Sequence, residues 1–220
     1  MPQTLTQRIT KPSATITFLL MVLVWFGLIL QFCISMQAYL HDGLSLPNAL
    51  VQFFSYFTIQ SNILVGVCLI GLLLKPQTWL NDFFSRGYVF TGVVFYIIIV
   101  GLIYNTILRG IGKPVGLFRL ADELLHLVNP VLFVIYWLIL IDKPTLKWSQ
   151  ALNWLWYPFI YVIYTLIRGA LTNIYPYPFI DAGKFGYNKI MINSVVLLVV
   201  FLVLGLLLIF ITRKLSSKKY

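Results

Sequence analysis

Asp122, His126 and Asn129 stand at i, i+4 and i+7 of one apolar run, on a single helical face, with Pro130 directly after them. An imidazole is the side chain suited to taking and returning a proton near neutral pH, and a carboxylate one turn away can orient it through a hydrogen bond. Pro130 has no N–H, so the carbonyl four residues earlier, that of His126, loses its helical partner and a kink is expected there. A histidine beside freed backbone polarity within an apolar run reads as a functional site. The alternative is a structural histidine satisfied by a neighbouring Tyr or Asn.

Two further stripes carry polar groups. Gln52, Ser55, Thr58 and Asn62 fall within a sector of about 120° if their run is one helix. Such a stripe either joins helices, with Ser and Thr bonding the carbonyl one turn back and Asn bridging neighbours, or lines a site. Tyr157, Tyr161, Tyr164 and Arg168 follow at spacings of four, three and four. Either these are core aromatics ended by an arginine that snorkels to headgroups, or Arg168 anchors a carboxylate or phosphate. The segment Tyr175-Pro176-Tyr177-Pro178-Phe179-Ile180-Asp181 is barred from regular helix by its prolines, and reads as an interfacial aromatic belt or as a cap over a pocket.

The elements that carry these residues are apolar runs near 15–38, 49–74, 87–108, 121–141, 151–170 and 191–212. A helical crossing of the bilayer needs about 20 apolar residues, and no run alternates as a barrel strand would. The expected fold is therefore all-α: a polytopic bundle of six transmembrane helices forming a single domain over residues 1–220 of a multi-pass cell-membrane protein. Composition agrees, with 60% hydrophobic and only 10% charged residues, against about 25% charged in soluble domains. The net charge of +10 is spread over loops and tails, which points to membrane topology and lipid partners and away from nucleic acid.

By that topology Arg8, Lys11, Lys75, Arg86, Lys143, Lys147, Arg213, Lys214, Lys218 and Lys219 share one side, and Arg109, Lys113, Arg119, Arg168, Lys184 and Lys189 share the other. The bias puts both termini in the cytoplasm. The first run is longer than the apolar core of a cleaved signal peptide and is read as a retained span. Cys33 and Cys68 are solitary and inside runs, which suits packing. No Cys or His cluster has metal-ligand spacing, and a single intramembrane histidine is too few for haem carriage, so neither metal nor cofactor is expected.

The stretch Phe53-Phe54-Ser55-Tyr56-Phe57-Thr58-Ile59-Gln60-Ser61-Asn62, then Asp122-Glu123-Leu124-Leu125-His126 with Pro130 one turn on, then Tyr175-Pro176-Tyr177-Pro178-Phe179, resembles the prokaryotic six-helix Pr-type membrane protein family. More distantly it resembles the eukaryotic androgen-induced-gene and androgen-dependent TFPI-regulating membrane proteins. That resemblance implies an intramembrane threonine hydrolase of fatty acid esters of hydroxy fatty acids, with Thr58 as nucleophile and His126 as base. Gln60-Ser61-Asn62 and Asp122-Glu123 depart from the eukaryotic pattern.

A threonine hydroxyl needs an adjacent base to remove its proton as it attacks, so the pairing is chemically coherent. Ser55, Asn62, Asp122, Asn129, Tyr161, Tyr164 and Arg168 are the expected substrate-side residues, with Asn62 and then Asn129 as oxyanion donors. Counted along straight helices, Thr58 lies about 14 Å deep and His126 about 8 Å. The rivals from other classes are a small-solute or proton transporter or channel, whose path the polar stripes and Arg168 would line, and a non-catalytic lipid-binding membrane protein.

Overall fold

The computed structural model describes residues 7–10 and 12–217. Lys11, Lys218 and Lys219, which enter the charge balance above, lie outside them. The helices in chain order are α1 (Ala14–His41), α2 (Leu46–Phe54), α3 (Phe57–Leu73), α4 (Trp79–Phe84) and α5 (Gly87–Ile103). There follow α6 (Gly116–Glu123), α7 (Asn129–Leu140), α8 (Gln150–Trp154), α9 (Trp156–Thr172), α10 (Ala182–Phe185) and α11 (Tyr187–Ser217). α5 runs on into a π-helical turn, Tyr104–Leu108, and a second such turn, Leu124–Val128, joins α6 to α7. Among the described residues the only β pairing is an isolated antiparallel bridge between Arg8 and Arg86.

Four helical stretches have the length and apolarity of a membrane crossing: Ala14–His41, Gly87–Leu108, Gly116–Leu140 and Tyr187–Ser217. The pair α2 and α3 makes a fifth if it is one span. These are the helices of an integral membrane protein, and their outward faces carry the exposed apolar side chains that hydrocarbon accepts, such as Val195, Val199 and Val203 of α11.

Two expected spans are not continuous. The run 49–74 breaks at Ser55 and Tyr56, and α2 and α3 meet at 76°. No Gly or Pro marks the place; side chains make it. Ser55 Oγ donates back to the Val51 carbonyl at 2.5 Å, a bond that competes with the helix ladder, and Tyr56 is extended at φ −82°, ψ 129°. Gln60 Nε2 then reaches back 2.8 Å to the Phe54 carbonyl, which has lost its helical donor. The four-residue polar stripe therefore does not exist as one face. The run 151–170 likewise divides at Leu155, and Pro158 sits in the first turn of α9, where a missing N–H costs little. α9 is 17 residues long, shorter than the four crossing stretches.

The chain divides into two compact units, one running to Thr145 and taking in the residues from Ser216, the other Leu146–Leu215. In the first, α1 packs on α3, α3 on α5 and α5 on α7. Gly66 lets α1 and α3 approach: a Cβ there would stand 2.8 Å from Trp25 Nε1. Phe90, Val94, Leu69 and Phe133 are essentially fully buried between these helices. In the second, α9 ends at Asn173, left-handed at φ 57°, and the chain turns back so that the Tyr175 ring lies against Gly169. Tyr177 and Phe179 stack at 5.3 Å beside the cluster of Ile180, Ala182 and Ile190.

Candidate active site

Pro130 decides the local structure around His126. Because residue 130 offers no N–H, carbonyls one turn earlier need other donors, and the chain answers with a π turn and two asparagines. Asn105 Nδ2 donates to the His126 carbonyl at 3.1 Å, and Asn62 Nδ2 donates to the Leu125 carbonyl at 3.1 Å. Each asparagine comes from a different helical stretch, so the exposed backbone polarity becomes the point where three elements are tied together.

The His126 ring is fixed on two sides. Its Nδ1 lies 3.0 Å from Asp122 Oδ1 and 2.9 Å from the Asp122 carbonyl. The ring face stacks on Tyr104, with centroids 3.8 Å apart and planes 16° from parallel. The Tyr104 hydroxyl donates to the other carboxylate oxygen, Asp122 Oδ2. Carboxylate, imidazole and phenol thus form a closed set, with the His126 and Asp122 side chains 16% and 18% exposed. With Nδ1 turned to Asp122, Nε2 is the nitrogen left to face a reacting group.

An ion pair borders this set. Arg109 Nη2 meets Glu123 Oε2 at 2.6 Å, Arg109 Nε donates to Asn105 Oδ1 at 2.9 Å, and the guanidinium lies 5.7 Å above the Tyr104 ring. The Glu123 carboxylate holds Arg109 above its ordinary pKa. This pair and Asn105 were not among the sequence-expected site residues. Their one sequence signal is the i, i+4 spacing of Asn105 and Arg109 at the end of an apolar run.

Thr58 lies in the first turn of α3, buried at 7% exposure. The break before α3 removes the basis for counting its depth from residue 49. Its carbonyl accepts from Asn62 Nδ2 at 2.9 Å, and the same amide bonds Leu125, so the start of α3 is joined through one side chain to the π turn that bears His126. Asn129 Nδ2 donates to Asn62 Oδ1 at 3.0 Å. The two donor bonds of Asn62 go to main-chain carbonyls, which makes it a clamp between helices. Asn129 Oδ1 is buried with no hydrogen-bond partner among the described residues. Ser55 is spent on the bond to Val51 at the helix break.

No family model, characterised protein or solved structure matches the chain. The site's own groups carry its chemistry.

Tyr161, Tyr164 and Arg168 belong to the second unit. Tyr161 and Arg168 are buried at 8% and 9%, whereas Tyr164 is 39% exposed. Arg168 Nη1 donates to the Ile174 carbonyl at 3.2 Å, holding the end of α9 to the segment that follows it. The structure thus brings together the side chains of Asp122 and His126, ties the Thr58 main-chain carbonyl to Asn62 and Asn62 to Asn129, and joins the two sets at the turn Leu124–Val128.

Proposed function

We propose that this chain is an intramembrane hydrolase of fatty-acyl esters, with Thr58 as nucleophile and His126 as general base. One observation carries the reading: Asp122 Oδ1 sits 3.0 Å from His126 Nδ1, the carboxylate-to-imidazole arrangement that orients a base and steadies it as it becomes charged. The family resemblance of the Thr58 and His126 segments supports the same pair. His126 Nε2 takes the Thr58 hydroxyl proton as Oγ attacks the ester carbonyl. The imidazolium returns that proton to the leaving alcohol. Water then adds to the acyl-threonine with His126 again as base, releasing the fatty acid and restoring the hydroxyl. The first turn of α3 contributes the positive end of a helix dipole near the developing oxyanion.

Membrane lipids are the surroundings and the substrate class in this reading. It includes six crossings with both termini cytoplasmic, supported by the charge bias of the loops. Purified protein incubated with a fluorophosphonate probe and with branched fatty-acyl esters tests it. Wild type labels and turns over, and Thr58→Ala and His126→Ala do neither. Equal labelling and turnover by Thr58→Ala would exclude that hydroxyl as nucleophile. The 76° break between α2 and α3 favours one second reading, a transporter built on a discontinuous helix. Solute or proton flux in proteoliposomes without ester turnover would establish it.

A further inference from the structure

At the end of the first unit that holds the start of α1, residues 7–9 pair with residues 85–87. Ile9 N donates to the Ser85 carbonyl at 2.8 Å and Gly87 N donates to the Gln7 carbonyl at 2.9 Å. These bonds flank the Arg8–Arg86 bridge, so the two arginines form the non-hydrogen-bonded kind of antiparallel pair. In that kind the Cα atoms stand about 4.5 Å apart and both side chains leave on the same face. Like charges directly opposite are unfavourable, and a counter-charge between them relieves the repulsion.

The protein supplies half of that counter-charge. Arg8 Nη1 meets Asp82 Oδ1 at 2.8 Å, with the two side chains 54% and 33% exposed. Arg86 is exposed and has no carboxylate within ion-pair distance among the described residues. The pairing is held firmly, because Gln7 Oε1 also accepts from Thr145 N at 2.9 Å. Its place is the membrane boundary: Arg86 immediately precedes α5, and α4 in the same connection begins with Trp79, 74% exposed and stacked on Phe83. A tryptophan so placed lies at headgroup level.

We propose that the Arg8–Arg86 pair is a docking site for the phosphate of an anionic phospholipid in the leaflet on that side. A phosphodiester between two guanidinium groups accepts charge-assisted bonds from both and removes their repulsion. The exposed Trp79 of the same α3–α5 connection favours a phosphate that arrives at the bilayer surface over one free in water. This inference is independent of the hydrolase reading, since it uses none of the site residues and its readout is bound lipid.

Native mass spectrometry of the full chain in detergent, with equal phosphatidylglycerol and phosphatidylcholine, tests it. Wild type retains phosphatidylglycerol in preference. Arg86→Gln lowers that retention by about tenfold, the effect of one charge-assisted contact, and Arg86→Lys restores part of it. Asp82→Asn releases Arg8 and raises retention, which gives a result in the opposite direction should Arg86→Gln fail to fold. Lys113→Gln, in the loop after α5, leaves retention unchanged. Equal retention by wild type and Arg86→Gln overturns the proposal, as does no rise with Asp82→Asn. Displacement of phosphatidylglycerol by millimolar inorganic phosphate assigns the pair to free phosphate and overturns it also.

Discussion

Replacing Asn62 with alanine removes a side chain that joins α3, the turn bearing His126, and Asn129. The Thr58 carbonyl keeps its place in the α3 ladder, but the Leu125 carbonyl and the Asn129 amide lose their partners in a fully buried setting. Each buried orphan costs about 1–3 kcal/mol by soluble-protein measures, while hydrogen bonds between membrane helices average about 0.6 kcal/mol. Between these scales the expected loss is about 2–4 kcal/mol, measured by denaturant titration in mixed micelles. The cause can be isolated with Pro130→Ala, which returns an N–H one turn beyond the carbonyls that Asn62 and Asn105 now serve. On that background Asn62→Ala should cost at least about 1 kcal/mol less than in wild type. Additivity within about 0.5 kcal/mol would refute the idea that Asn62 compensates for the proline.

Tyr104→Phe keeps the stack on His126 and loses the bond to Asp122, so in the proposed hydrolase ester turnover should fall roughly tenfold in kcat with KM little changed; an unaltered kcat would show that the phenol does not position the carboxylate. In the second unit, a Cβ at Gly169 would lie 1.9–2.4 Å from Tyr175 ring atoms, so Gly169→Ala should cost about 1–3 kcal/mol and adding Tyr175→Ala should recover part of it. A Gly169→Ala variant with unchanged thermal unfolding would mean that the Tyr175 ring moves aside freely.

Much of this site was open to a reader of the sequence, because helical periodicity is local. The Asp122 to His126 contact follows from i, i+4 spacing, and the need of the His126 carbonyl for a donor follows from Pro130. What met that need was not legible. Asn105 and Tyr104 reach His126 from a π turn, and such turns leave no mark in apolar periodicity. The break before Thr58 was hidden for a related reason: Ser55, Tyr56 and Gln60 make it through hydrogen bonds, where a reader looks for Gly or Pro. A stripe drawn on one ideal helix therefore joined Gln52 and Ser55 to residues that lie beyond a sharp bend.

The two π turns have a shared consequence. A single turn closed by an i to i+5 bond in place of i to i+4 adds one residue to a helix while leaving its flanks nearly in phase. A chain one residue shorter at each turn would present the same α5, α6 and α7 faces to its neighbours. What the additional residues accomplish is local swelling of two adjacent backbones, one opening at Tyr104 and the other with His126 at its centre. Phenol and imidazole meet where the helices widen, so this meeting can be gained or lost by single-residue insertion or deletion without redesigning the rest of the molecule.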